Sequence, residues 1–204
     1  MPTKTDAISL LKADHEKVRG LLSQLEKSTD RAASRRETLL AQLETEILIH
    51  TTIEEEIFYP AYREAVSKKE DRKLYQEAIE EHHVVDLVLP EVKEADPASE
   101  IFSAKAKVLK ELIEHHAEEE EKEMFKRARK AFETEELKEL GERMMARKEE
   151  LMEQMQAEGG GAKARKSRSS GRGKRSSEAM ANGHDRAAPP RQGGRSESRH
   201  QTAH

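Results

Sequence analysis

Six histidines and a small number of glutamates are the residues of this chain whose types and spacing could do chemistry. Nine histidines are present; His184, His200 and His204 lie near the C-terminus, and His15, His50, His82, His83, His115 and His116 lie upstream. The apolar spacing around each shows which way it points. Ile8, Leu11, His15, Val18, Leu22 and Leu25 recur at steps of three and four, so His15 takes a core position on a helix. Leu40, Leu43, Ile47, His50, Glu54 and Ile57 repeat that pattern. His50 and Glu54 therefore lie one turn apart on one face, where Leu or Ile would be expected. Through His82 the stripe is Tyr75, Ala78, Val85, Leu89 and Val92, and through His83 it is Gln76, Ile79, Asp86, Pro90 and Lys93. The first is a core face and the second a wet one, so His82 points inward.

Two stripes suit the next helix. His116 goes with Phe102, Ala106, Leu109, Ile113 and Glu120; His115 goes with Ile101, Ala104, Val108, Leu112 and Glu119. An internal repeat decides between them. His15-x-x-Val18-x-x-Leu21 matches His82-x-x-Val85-x-x-Val88 at an offset of 67. His50-x3-Glu54 followed by Ile57-Phe58 resembles His116-x3-Glu120 followed by Met124-Phe125 at an offset of 66. Each half carries a lone His on its first helix and His-x3-Glu on its second, which selects His116 and Glu120.

Four inward His and two inward Glu suit a dinuclear metal site. Buried charge is costly unless paired or metal-bound, so such a set is not incidental. Imidazole and carboxylate without thiolate favour iron, manganese or zinc. The chain has no cysteine, which excludes disulfides, iron–sulfur clusters and thiolate sites. Gly-rich phosphate loops and Gly-x-Ser-x-Gly are absent as well, so hydrolase and transferase readings have little support.

The elements that must position these residues are helices. Charged residues make up 38% of the 204 and aromatic residues 3%, a composition of long helices rather than of a β-sandwich. The first helix is expected from about Asp6 to Ser28. A second starts near Ser34, where Ser34-Arg-Arg-Glu37 has capping-box form, and reaches Pro60 or slightly beyond. A third covers about Asp71 to Ala95, with Pro90 marking a kink or early end. Asp96-Pro97 reads as an N-cap with N1 proline for a fourth helix to about Phe132. Thr134 caps a fifth, Glu135 to about Gln156, whose thin apolar stripe suits projection or partial packing. The expected fold is all-α: an up-down-up-down four-helix bundle over residues 1–132, an additional charged helix over 133–158, and a tail over 159–204.

Charge divides the chain in the same place. From Gly159 onward there are 11 Lys/Arg and three acids, against 26 basic and 38 acidic side chains before it. The tail lacks bulky apolar residues and reads as disordered. Its basic character admits non-specific, salt-sensitive nucleic-acid contact, without aromatic residues for base stacking. No apolar run approaches the ~20 residues of a membrane span, and the N-terminus lacks a signal-peptide core, which points to a cytoplasmic protein with no membrane partner.

The segments DHEKVRGLL from Asp14, HTTIEEEIFYPAYREA from His50, EEHHVVDLVLPEV from Glu80 and HHAEEEEKEMF from His115 resemble the bacterial hemerythrin-like HHE cation-binding domains. The resemblance covers about residues 8 to 130. It implies a four-helix bundle around two non-haem iron ions, with His15, His50, His82 and His116 as ligands and Glu54 and Glu120 as bridging or chelating carboxylates. It also implies dioxygen, peroxide or nitric oxide as the small ligand. The chain departs from oxygen-carrying hemerythrins in lacking a second His four residues from His82 and in carrying His-x3-Glu on the fourth helix. Asp86, Glu81 or water, or an inward His83 or His115, are the candidates to complete the second iron. A carboxylate-rich centre favours oxygen or peroxide activation and sensing over storage. The other functional classes are a metal store or metal sensor without turnover and a nucleic-acid-associated protein acting through the tail.

Overall fold

A computed structural model describes the backbone of residues 5–170 and the side chains of residues 5–157. The chain divides into two units, Met1–Gly159 and Gly160–His204. The described residues are helical with short connections: α1 (Ala7–Glu26), α2 (Ala33–Ile53), α3 (Tyr59–Ala65), α4 (Lys69–Glu94), α5 (Glu100–Glu119), α6 (Phe125–Ala131) and α7 (Thr134–Ser170). Single π-helical turns, Glu54–Phe58 and Glu120–Met124, join α2 to α3 and α5 to α6, so that each pair is one continuous rod. α1 packs on α2 and α5, and α4 on α5 and α2. The bundle is thus the expected four-rod, all-α arrangement.

Local chemistry explains where the rods begin. Asp6 caps α1, its carboxylate accepting from the Ser9 backbone N–H at 3.0 Å. Two expected caps are displaced. Ser34 does not cap α2, because a 3₁₀ turn over Asp30–Ala32 leads into the helix one residue earlier. Buried Arg36 ties that entrance together, bonding to the Ser28 carbonyl, the Pro97 carbonyl and Asp30. Asp96 does not cap α5 either. Its carboxylate accepts from the Ala98 N–H within a turn, and Ser99 caps the helix by accepting from the Phe102 N–H. Pro90 lies inside α4, which continues to Glu94.

The largest difference concerns α7. Leu137, Leu140, Met144 and Leu151 are buried in the core, so the helix packs rather than projects. Gly141 permits the approach: a Cβ there would lie 2.4 Å from the Thr5 carbonyl oxygen. The helix also runs past Gln156 to Ser170, through the first part of the segment expected to be disordered. The rest of the expected tail lies outside the described residues.

Apolar side chains form two clusters. One holds Leu11, Ile53, Phe58, Tyr59, Ala78, Met124 and the buried face of α7. The other holds Val18, Ile47, Val85 and Leu109 with their aliphatic neighbours. His15 lies between Leu11 and Val18 in sequence, His50 between Ile47 and Ile53, and His82 between Ala78 and Val85. The candidate residues therefore occupy a polar layer where the two clusters meet.

Candidate metal centre

The structure brings His15, His50, His82, His116, Glu54 and Glu120 into this one layer, all buried. His83 and Asp86 face outward, and His115 is 64% exposed on its side chain. Each histidine points its Nε2 atom inward. The Nε2 atoms of His15 and His50 lie 3.1 Å apart, as do those of His82 and His116. The carboxylates sit between these pairs. Glu54 Oε2 is 3.2 Å from His50 and 3.4 Å from His82. Glu120 Oε2 is 3.3 Å from His15 and 3.7 Å from His116. Each Glu thus reaches one histidine of each pair, a bridging placement. His15, His50, Glu54 and Glu120 form one group with the donor spacing of a metal site, and Glu54, His82 and His116 form a second.

The π turns explain how a carboxylate gets there. In each, the backbone N–H after the turn bonds five residues back, Tyr59 to Glu54 and Phe125 to Glu120. The extra residue per turn lets Glu54 and Tyr59 both face the interior, where a regular helix would rotate one of them away. Both halves take the same extra residue, so the repeat continues at an offset of 66. It pairs Phe58 with Met124 and Tyr59 with Phe125, one step from the expected pairing of Ile57-Phe58 with Met124-Phe125. Pro60 favours the first turn by lacking an N–H; the second forms with Lys126 at that position.

A ring of carboxylates outside the layer holds the far nitrogens of the histidines. His15 Nδ1 pairs with Glu121 at 3.0 Å, His82 Nδ1 with Glu55 at 2.8 Å and His116 Nδ1 with Glu81 at 2.8 Å. His50 Nδ1 lies 3.8 Å from Asp14. Such partners fix the tautomer that leaves Nε2 free to bind an ion and raise the donor strength of the ring. Sequence reasoning named Glu81 only as a candidate ligand and gave Asp14, Glu55 and Glu121 no role. The signal was in the repeat: Asp14 and Glu81 each precede a lone His, and Glu55 and Glu121 follow Glu54 and Glu120.

Tyr59 was also missed. Its hydroxyl donates to Glu120 Oε1 at 2.9 Å and lies 3.4 Å from His82 Nε2, with its ring stacked on His82. Phe125, its counterpart in the repeat, stacks on His15 at 5.8 Å between centroids.

The electrostatics match a cluster built to hold cations. Burial opposes charge on Glu120, yet the imidazoles of His116, His15 and His50 hold its carboxyl well below the usual range. Burial likewise opposes an imidazolium at His82, and Glu54 and Glu55 push its pKa up to about 10. His15 is raised in the same way, chiefly against burial and by Glu120. Burial, Glu120 and Glu54 push the Tyr59 phenol well above 10. Glu54 Oε1 and Glu120 Oε2 are buried without a hydrogen-bond donor. Oxygens of this kind and paired Nε2 atoms fit divalent or trivalent metal ions better than any purely protonic network.

Comparison with known proteins agrees with this geometry. The chain spans about 42% of the length of a DNA nickase from Nostoc sp., to which it is 23% identical over 153 residues, 75% of this chain. It is also similar to the solved structure of an HHE cation-binding domain-containing protein from Mycobacterium kansasii. That match has a TM-score of 0.63 and 29% identity, covering 72% of this chain and 87% of the other. The family model for the hemerythrin HHE cation-binding domain matches residues 6–128. With its His and Glu side chains gathered into one buried layer across that stretch, the chain belongs to the hemerythrin HHE cation-binding family.

Proposed function

We propose that this is a non-haem di-iron protein that binds or senses dioxygen, peroxide or nitric oxide. His15 and His50 would hold one ion, His82 and His116 the other, with Glu54 and Glu120 shared by both. When bound, the two ions would supply open coordination positions and the capacity to exchange two electrons. The observation that carries the small-ligand reading is a cavity of about 30 Å³ lined by the four inward histidines, by Val18, Ile47, Val85, Ile113 and Ala117, and by Arg19 and Thr51. That space suits a diatomic molecule or a peroxide.

The chain's own groups set the conditions in that cavity. Its aliphatic side chains lower the local polarity beside the histidines, which strengthens the electrostatic interactions of whatever enters. Glu54 and Glu120 place two carboxyl groups between the histidine pairs, where they would meet cationic charge without rearrangement. The high pKa of Tyr59 keeps its proton on the phenol, donated to Glu120 beside His82. A reductase partner is required for turnover.

The test is metal analysis and an optical spectrum of aerobically purified protein. Two irons per chain with near-ultraviolet charge-transfer bands that shift on adding peroxide or nitric oxide are expected. A fully folded, colourless and metal-free protein that takes up no iron refutes the reading.

A second reading draws on the basic segment after Gly159 and the partial likeness to a DNA nickase. In it, the tail contacts nucleic acid non-specifically. Salt-sensitive DNA binding lost on truncation at Gly159 supports it, and binding unchanged by truncation rejects it.

A further inference from the structure

Three of the four inward histidines have a close carboxylate behind them, and the fourth does not. His50 Nδ1 and the Asp14 oxygen facing it, 3.8 Å away, are both buried and both lack a hydrogen-bond partner. Two complementary groups left unpaired at that distance need a cause. It is Lys148, whose ammonium pairs with the other Asp14 oxygen.

Lys148 belongs to α7, beyond the stretch matched by the family model. Its place is fixed by the docking of that helix: Met144 and Leu151 are buried on either side of it, and Arg147 pairs with Glu56 at 2.7 Å. The ammonium therefore cannot simply follow Asp14 toward His50. In the equivalent place of the other half, Glu81 reaches His116 at 2.8 Å and has no Lys or Arg ion-pair partner among the described residues.

We propose that Lys148 is a positioning residue that weakens one of the two metal positions, holding the Asp14 carboxylate off His50 so that the His15/His50 position binds its ion less tightly than the His82/His116 position. This inference rests on the metal-centre reading above. A second contact acts in the same sense. Glu121, behind His15, is shared with Arg19 at 2.8 Å, whereas Glu55, behind His82, has no Lys or Arg ion-pair partner among the described residues. A carboxylate engaged by a cation draws less on the imidazole N–H and leaves the ring a poorer donor. Partners at this distance from a metal commonly change affinity by about 10- to 100-fold. α7 is thus a means of weakening the position with the fuller donor set, two His and two Glu against two His and one.

The test is titration of the metal-free full chain with zinc, read by calorimetry and by histidine side-chain NMR. Two steps at least about tenfold apart are expected, the first perturbing His82 and His116 and the second His15 and His50. Lys148→Met frees Asp14 to close on His50 and tightens the second step about tenfold; Lys148→Arg keeps the gap. Asp14→Asn provides a check that leaves Lys148 in place: it changes the second step less than about threefold, while Glu81→Gln weakens the first by tenfold or more. A single shared affinity, the reverse order of loading, a second step indifferent to Lys148→Met, or an Asp14→Asn loss equal to that of Glu81→Gln overturns the inference. Zinc that leaves all four histidines unperturbed overturns the metal-centre reading itself, and that failure is distinct because no ordered steps are then seen.

Discussion

The His15/His50 and His82/His116 positions are built from the same parts in different surroundings. Each has two histidines from neighbouring helices and shares Glu54, while Glu120 groups with His15 and His50 and stands 3.7 Å from His116; each of those Glu sits at the start of a π turn. Around His15 and His50, however, the stacking ring is Phe125, and both supporting carboxylates also answer to a cation, Arg19 or Lys148. Around His82 and His116 the stacking ring is Tyr59 with its hydroxyl turned to Glu120, and the supporting carboxylates face histidines alone. The repeat keeps what any bound ion requires. It varies the rings and cations around the two positions, so the difference teaches that the inward His and Glu set and its surroundings are separable in this fold.

The comparison is broken most severely by removing what the two positions share. Glu54→Ala or Glu120→Ala is expected to lower the metal content at both positions, measured by metal analysis; loss confined to one position would show that the carboxylates do not bridge. In the metal-free protein, Glu120→Ala also leaves His15 without its buried partner, with an expected cost of about 3–5 kcal/mol in urea denaturation. Next in size, Glu55→Gln should weaken one position by about 10- to 100-fold, and Glu121→Gln the other by less, because Arg19 already draws on Glu121. Equal losses by calorimetry would erase the distinction between them.

Metal-free and metal-loaded protein should respond oppositely to pH. The folded-state pKa of His82 is raised to about 10 from an ordinary 6.5, so its contribution to stability is full below pH 6.5 and lost as pH rises through 10. The Glu120 shift runs the other way, its contribution being present above its ordinary 4.5 and lost as pH falls below it. Melting temperature of the metal-free protein should therefore fall from pH 7 to pH 10, while metal affinity rises as the displaced protons become easier to remove. A melting temperature flat over that range would contradict the charge arrangement of the layer.

Two smaller changes sharpen the contrast. Gly141→Ala forces a methyl group against the Thr5 and Ala7 backbone and should cost about 1–3 kcal/mol, loosening α7 and with it the hold on Asp14. Tyr59→Phe makes the two positions alike in their stacking ring. It should leave metal content unchanged and cost about 1 kcal/mol for the lost hydrogen bond, while altering the spectral response to peroxide. A large loss of metal would instead make the phenol part of the holding set.

Much of this was legible in the residues. Stripes of period near 3.6 placed His15, His50, Glu54, His82 and His116 on inward faces, and the repeat separated His116 from the exposed His115. Helix starts were less legible: Ser34 and Asp96 have capping chemistry, but Arg36 and Ser99 make better use of the local backbone. The burial of α7 was hidden because its apolar stripe is thin, and a single glycine at 141 supplies the close approach that compensates.

The sequence by itself determined the helices, their inward faces and the duplication of His and Glu, because amphipathic period and local spacing are properties of one helix at a time. Only the tertiary structure decided which carboxylate stands behind which histidine, that Tyr59 rather than a regular-helix neighbour faces Glu120, and that Lys148 takes Asp14 from His50. Those outcomes depend on rotation and register between helices and on one extra residue in two π turns. A shift of that size is invisible in a hydrophobic stripe, yet it moves a side chain from solvent into the layer where the histidines meet.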